Sequence, residues 1–435
     1  MRFLTSEVAR AVGGTLHGPD VAIDGATIDS REARPGQLFV PIVAERDGHD
    51  FVDGARRAGA VATLTARGPQ EGLTSVVVAD TATALSDLGR HARARLGGRV
   101  VGITGSVGKT STKDLAAATL GARYLVAASE RSFNNELGVP LTLVNAQEGT
   151  EATVVEMGAR GAGHIAWLCD IAHPTIAVVT AVALVHAELM GDLDGIARAK
   201  GELPASLPAD GVAVLNAGDP RVLAMAERTE AWVVRYGAPG AEVRASEVEV
   251  DPELRARFRL ETEWGSAPVH LGVRGEHQVG NALAAAAVAL VCEVPVDEVA
   301  AALRHTALSP WRMDLQRARG GARVLNDAYN AGPTSMEAAL RALAHLDAER
   351  RHAVLGPMAE LGPDGPAQHR RISALAERLG VAVVAVATGE YGVEPVPDAE
   401  AAVAALGPLD ERDAVLVKGS RVAGLEAVAE ALLAR

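Results

Sequence analysis

Residues 99–120 read RVVGITGSVGKTSTKDLAAATL: an apolar run, a turn rich in glycine, and an alanine-rich stretch with helical character. A glycine-rich turn that follows a strand and opens a helix is the setting of a phosphate-binding loop. Its backbone N–H groups and the helix N-terminus surround an anion, the Lys109 amine reaches the β- and γ-phosphates, and the Thr110 hydroxyl ligates magnesium. Gly105, Ser106, Gly108, Lys109, Thr110 and Ser111 are the candidate cradle. The strict pattern G-x-x-x-x-G-K-[ST] would place glycine at position 103, where this chain has Ile103; its glycines stand at 102, 105 and 108. ATP or GTP is the implied ligand. No lysine follows an asparagine, so the N-K-x-D signature of guanine recognition is missing.

Reading outward, apolar runs recur at 152–157, 175–184 and 211–216, each separated by enough chain for a crossover helix. Runs of this continuous kind are buried on both faces, which predicts a parallel sheet between helices. Residues 232–273 alternate more and predict antiparallel strands ahead of the alanine-rich helix after Asn281. Pro310, in ALSPWRMD, interrupts the pattern, and beyond it ARVLNDAY, RHAVLGPM, VAVVAVAT and DAVLVKGS alternate with helices in a Rossmann-like way. Thr334 and Glu337 have capping-box spacing for the first of those helices. Residues 1–97 mix short strands, turns and helices. The expectation is an α/β protein of three domains: a small α/β module over 1–97, a phosphate-loop doubly wound sheet over 98–308, and a Rossmann-like domain over 309–435.

Composition narrows the function classes. A net charge of -13 argues against a nucleic-acid surface, although a local basic pocket for an anionic small molecule is compatible with it. The longest clean apolar run, 282–292, is far shorter than the ~20 residues a bilayer requires, and MRFLTSEVARAVGG does not resemble a signal peptide. Cys169 and Cys292 stand in apolar helical context and read as buried thiols of a reducing cytoplasm. No membrane insertion is expected, and a monomer is.

In doubly wound sheets ligands gather at the carboxyl ends of strands. Glu156 ends one apolar run and His186 another, both candidate magnesium ligands beside the phosphate loop; Asp327, Tyr329 and Asn330 follow the first strand of the last domain, and Lys418 and Ser420 the fourth. Arg312 stands at the interdomain boundary, where it can approach a nucleotide phosphate. The lysines are informative in themselves. Of 42 basic residues only Lys109, Lys113, Lys200 and Lys418 are lysine. A chain that otherwise writes arginine keeps lysine where a compact, deprotonatable amine is needed. Lys113, on the helix after the loop, reads as an ordinary surface residue.

Several ordered stretches together resemble the Mur ligase family: GITGSVGKTS, FNNELGVP, VVEMGA, His186 followed by AKGEL, GEHQVGNALAAAA, PWRMD, NDAYNAGPTSM and VLVKGSR. IDSREARPGQLFVP with RDGHDF resembles the N-terminal domain of members adding the third residue or the terminal dipeptide, and LGPMAELG with VKGSR points to the latter. The D-N-P-R stretch associated with diaminopimelate recognition is missing. The resemblance implies ATP-dependent joining of D-alanyl-D-alanine to UDP-N-acetylmuramoyl-tripeptide through an acyl phosphate, in peptidoglycan precursor synthesis. The alternatives are a sister ligase adding the third, diamino, residue and a non-ligating phosphate-loop regulatory homologue.

The same resemblance implies roles. Lys109 and Thr110 would hold phosphate and a first magnesium, with Glu156 as its carboxylate ligand. His186 would serve a second magnesium, supported by Lys200 carbamylated by carbon dioxide. Asn281 would contact adenine, Arg312 phosphate and Asp327 ribose. Ser30, Arg31 and His49 fall in the UDP region, and Asn134, Asn135 and Arg160 along the muramoyl peptide. Tyr329, Asn330, Lys418 and Ser420 fall on the dipeptide and peptide-carboxylate side. Arg160-Gly161 stands where many members have Asn-His, Ala181 where T-N-V is usual, and Gly332 in place of the last asparagine of Y-N-A-N-P. These departures touch hydrogen bonding around the metal and dipeptide, not the metal ligands. A site divided between domains also implies closure on ATP.

Overall fold

The computed structural model describes residues 1–130, 132–184 and 190–435. Its centre is a nine-stranded sheet in the order Gly265–Arg274, Arg255–Thr262, Val243–Val250, Trp232–Tyr236, Val212–Asn216, Ile176–Val179, Arg99–Thr104, Ala152–Glu156, Val126–Ala128. The seven strands from Val243–Val250 to Val126–Ala128 run parallel, while Arg255–Thr262 and Gly265–Arg274 at the other end pair antiparallel. After Arg99–Thr104 the chain goes to the edge, returns to Ala152–Glu156, and then crosses to Ile176–Val179 on the other side. The phosphate-loop strand therefore sits where the winding reverses, and the crevice opens above its carboxyl end. Of the span 232–273, expected to be antiparallel, Trp232–Tyr236 instead continues the parallel sheet, and the antiparallel pairing begins between Val243–Val250 and Arg255–Thr262 and continues to Gly265–Arg274, where the half-polar alternation is clear.

The run 175–184 is strand only through Val179; Thr180 to Ala183 leave the sheet and form hydrogen bonds to the phosphate loop instead. Apolarity alone does not distinguish a strand from the buried coil that continues it.

Residues beyond Pro310 form a five-stranded sheet ordered Asp314–Arg317, Arg323–Asn326, Asp413–Lys418, Arg350–Leu355, Val381–Ala385. All pairs are parallel except the first, an antiparallel edge strand that its short polar sequence, Asp-Leu-Gln-Arg, did not reveal. The helix Pro333–His345 is capped two residues earlier than Thr334 and Glu337 suggest: Ser335 Oγ accepts the Gly332 N–H at 3.1 Å. Pro333 at the first helical position fixes that start, because it needs no N–H partner there.

The N-terminal residues build a small sheet, Thr15–His17, Thr74–Val77, Ala62–Thr65, Leu38–Phe39, Ala26–Thr27, beside a two-stranded ribbon of Arg2–Leu4 and Ala22–Asp24. Helix Thr81–Arg95, capped by Asp80 accepting from Thr83 N–H at 2.7 Å, packs on helices Gly138–Val144 and His164–Ala172. Gly89 makes that approach possible, since a Cβ there would lie 2.5 Å from Pro140 Cβ. Buried side chains from Met1 through Ala231 consequently form one apolar cluster shared by the small sheet and the central one.

Candidate active site

The loop 105–108 is shaped by its neighbours as much as by its glycines. Ser106 N–H donates to Ala181 O at 2.8 Å, Ser106 Oγ exchanges 2.9 Å bonds with the Ala183 backbone, and Thr180 Oγ1 donates to Val107 O at 2.6 Å. The first of these bonds uses the Ala181 carbonyl, so the loop needs no particular side chain at that position. Gly108 has φ 82°, and a Cβ on it would lie 2.4 Å from Asn281 Oδ1. A side chain there would be strained by that φ and would displace the Asn281 amide. Lys109 Nζ curls back to donate to Gly105 O at 2.8 Å; burial pushes its pKa down, with Arg312 adding to the fall and Glu156 opposing it.

Glu156 lies at the end of its strand, 1% exposed. Its Oε2 accepts from Thr110 Oγ1 at 2.6 Å, its Oε1 from Asn134 Nδ2 at 2.8 Å, and its N–H donates to Ser129 Oγ at 3.2 Å. Asn135 turns the other way and holds the Leu137 and Gly138 N–H groups at 3.2 and 3.0 Å. Lys200, the last residue of helix Leu193–Lys200, is 2% exposed, and among the described residues its amine has no hydrogen-bond or ion-pair partner. Burial first, and the Lys109 charge second, push its pKa well below the ordinary lysine value. Asn281 Nδ2 donates to Gln278 Oε1 at 2.7 Å.

From the other side Arg312 lays its guanidinium over the Tyr329 ring, 4.0 Å from the centroid, while the Tyr329 hydroxyl bonds Ser132 Oγ across the cleft. Asp327 accepts from Met313 N–H at 3.1 Å and pairs with Lys418, whose amine also donates to Asn330 O at 2.9 Å. Lys418 is 2% exposed and thus committed to holding the 327–330 turn. Ser420 lies behind this wall, its Oγ accepting from Ala359 N–H at 2.9 Å.

These residues enclose one cavity of about 470 Å³. Ser106, Gly108, Lys109, Thr110, Ser111, Asn134, Asn135, Glu156, Arg160, Lys200, Asn281, Arg312, Asp327, Tyr329, Asn330 and Lys418 line it. Arg160 reaches it from an exposed loop, paired with Glu136 at 2.8 Å. Gly105 and Ser420 support it from outside the lining, and His186 lies outside the described residues. Ser30, Arg31 and His49 belong to the N-terminal module. There Arg31 pairs with Asp29, and buried His49 donates to Asp47 at 2.6 Å and accepts from Ala66 N–H at 2.9 Å, leaving neither ring nitrogen for a ligand.

Sequence reasoning missed Ser132, His164 and His277. His277, buried and pushed down in pKa by that burial, precedes helix Gln278–Val291 inside GEHQVGN, so its signal was a polar cluster ahead of an apolar helix. Lys113 is not a surface residue: it is 3% exposed, donates to Ser129 O at 2.7 Å and pairs with Asp114 at 2.8 Å. It lies on the helix that the Val126–Ala128 strand packs against, a contact that local sequence could not show.

A phosphate loop at the switch point of a parallel sheet, facing a Rossmann-like sheet across a charged cavity, defines a multidomain protein of the phosphate-loop class. Residues 103–289 match the Mur ligase middle domain, and residues 311–421 match the Mur ligase, glutamate ligase domain. The chain belongs to the Mur ligase family. It is 41% identical over 497 residues to the UDP-N-acetylmuramoyl-tripeptide--D-alanyl-D-alanine ligase of Mycobacterium tuberculosis, covering 99% of this chain and 97% of that one. It superposes on a crystal structure of MurF from Acinetobacter baumannii with a TM-score of 0.89 at 29% identity, over 100% and 99% of the two chains. For the MurF ligase of Thermotoga maritima in complex with ADP the TM-score is 0.82 at 28% identity, over 94% and 97%.

Proposed function

We propose that this protein uses ATP to join D-alanyl-D-alanine to UDP-N-acetylmuramoyl-tripeptide, the reaction named for its full-length relatives. The observation that carries the reading is Lys200: a buried amine, unpartnered among the described residues, in the same cavity as Lys109 and the Thr110–Glu156 pair. A structural lysine finds a partner; an amine kept neutral can add carbon dioxide, forming an N–C bond and losing a proton. The product is an anion on a flexible stem, which arginine cannot make.

The chemistry asks for this combination. A carboxylate is a poor electrophile, so the γ-phosphoryl group passes first to the tripeptide carboxylate. The D-alanyl-D-alanine amine then attacks the acyl phosphate, and phosphate leaves. Two anions must meet, and Lys109 and Arg312 offset their repulsion. Asn281 and Asp327 stand on the cavity wall where we place adenine and ribose. Asn134, Asn135 and Arg160 lie on the muramoyl-peptide side, with Tyr329 and Asn330 toward the dipeptide. We assign Lys418 and Ser420 to holding that wall, and His49 to holding the module that carries Ser30 and Arg31.

The Thr110 hydroxyl and the Glu156 carboxylate, 2.6 Å apart, fit magnesium, a hard ion that takes one or two carboxylates and completes its shell with water and phosphate oxygen. Bound there it would supply Lewis acidity at the transferred phosphate. A second ion would draw on carbamylated Lys200 and His186.

We read the chain as three bodies, 1–97, 98–308 and 309–435, closing on ATP, and as a cytoplasmic monomer. Its thiols support a reducing compartment: Cys169 and Cys292 are unpaired, buried, and pushed up to about 11 by burial. Phosphate release should require ATP, UDP-muramoyl-tripeptide and D-alanyl-D-alanine together. Turnover with the UDP-muramoyl-dipeptide and a diamino acid instead would assign the sister reaction, and turnover indifferent to both peptides would end the ligase reading.

A further inference from the structure

Among the described residues, the interdomain boundary contributes Arg312, with its neighbour Met313, to the cavity, and the segment that presents Arg312 is unusual. Trp311 and Met313, on either side of it, have φ 60° and 53°, in the left-handed region that side chains bearing a Cβ seldom adopt. A backbone of that kind persists when its surroundings fix it. Here it is fixed at both ends by carboxylates from either side of the interdomain boundary. Asp327, beside the Rossmann-like strand, accepts the Met313 N–H at 3.1 Å. Asp114, on the helix that opens at the phosphate loop, accepts the Ser309 N–H at 2.7 Å. Between them Tyr329 N–H donates to Trp311 O at 3.2 Å.

Asp114 is itself held. Its other oxygen pairs with Lys113 at 2.8 Å, and the two side chains are 13% and 3% exposed. Lys113 also donates to Ser129 O, and Ser129 Oγ receives the Glu156 N–H. One pair on the phosphate-loop helix is therefore linked through Ser129 to the strand end that carries Glu156 and directly to the segment that carries Arg312. The Arg312 Nε finds no hydrogen-bond partner among the described residues, so the side chain's place depends on its backbone and on the Tyr329 ring.

We propose that Asp114, neutralised and braced by Lys113, is a positioning residue that registers Arg312 to the phosphate loop. The nucleotide phosphates thereby meet Lys109 and Arg312 in a fixed relation although the two come from opposite sides of the interdomain boundary. The inference rests on the reading of Arg312 as a phosphate contact.

The test is steady-state kinetics on Asp114→Ala, Asp114→Asn, Arg312→Ala and the Asp114→Ala/Arg312→Ala double variant, with melting temperatures alongside. Asp114→Ala should raise the KM for ATP by about tenfold, the scale of one lost charge-assisted hydrogen bond. Its kcat at saturating ATP should stay within about threefold of the parent, the pattern of a lost binding interaction. Asp114→Asn keeps an oxygen for Ser309 and should hold the KM within about threefold. The double variant should be no worse for ATP than Arg312→Ala alone, because Asp114 acts through Arg312. If Asp114→Ala does not fold, Ser309→Pro removes the same N–H without touching the helix and should raise the KM alike.

Arg312→Ala with an unchanged KM would overturn the phosphate reading and this inference with it. A raised KM in Arg312→Ala, with either additive losses in the double variant or a fall in kcat alone for Asp114→Ala, would overturn the positioning role only.

Discussion

Replacing Lys200 by methionine should make the protein more stable and inactive at once. The amine is 2% exposed and unpartnered among the described residues, with its pKa pushed well down by burial and by Lys109. Burying a polar group without a partner costs about 1–3 kcal/mol by mutational measure, and the lowered pKa is another expression of that burial. Methionine keeps most of the volume and removes the cost. A gain of about 1–3 kcal/mol should raise the melting temperature by about 2–10 °C for domains of this size.

The sign with pH is fixed. A lysine depressed in the folded state binds its proton more readily when unfolded. The native protein therefore gains stability as pH rises toward the unfolded value near ~10.4, and Lys200→Met should not. The gap between them should be widest at low pH and close toward ~10.4. The assay is differential scanning calorimetry in buffer stripped of carbon dioxide at several pH values, with phosphate release measured in parallel. Lys200→Arg, which brings a permanent charge into the same space, should be inactive and less stable. A Lys200→Met protein that melts lower than the parent, or that still ligates, would refute the reasoning.

Gly108→Ala forces a Cβ to 2.4 Å from Asn281 Oδ1 at φ 82°; with about 1–2 kcal/mol of left-handed strain, ADP affinity by calorimetry should fall at least tenfold. His49→Ala strips two hydrogen bonds from the N-terminal module, so its melting temperature should drop by the equivalent of about 1–3 kcal/mol while the KM for ATP is unchanged. Arg350 holds buried Asp413 through two 2.7 Å bonds, and that pairing keeps the Asp413 carboxyl below its ordinary value. This stabilisation is complete above the unfolded carboxylate value and is lost as pH falls from there through the depressed value of the folded state. Arg350→Met should cost about 1.5–3 kcal/mol near neutrality and much less in acid, measured by urea unfolding at several pH values.

Local sequence reported local physics faithfully. A strand, three glycines and a helix made the phosphate loop legible because every part of that motif is contiguous. The apolar runs gave the parallel sheets because strands buried on both faces cannot hide their composition. The polar edge strand Asp314–Arg317 escaped for the converse reason, being half exposed and short.

What contiguity does not carry, the sequence could not show. The lysine bias singled out four positions, and the fold buries three of them almost completely, Lys113 among them, with Lys109 partly covered in the loop. Nothing along the helix distinguishes Lys113 from a solvated residue until the Ser129 backbone closes over it. Likewise Lys418 and Ser420 fall at a strand end where ligands gather, yet their polar atoms are spent on Asp327, Asn330 and Ala359.

The sequence by itself determined which chemistry is possible: a phosphate loop, four lysines in a chain that otherwise writes arginine, and carboxylates at strand ends. Only the tertiary structure decided which of those groups face one another and which are consumed in holding the wall. A hydrogen bond depends on distance in space, and residues such as Asp114 and Ser309 are brought together by the folded sheets and not by their order in the chain.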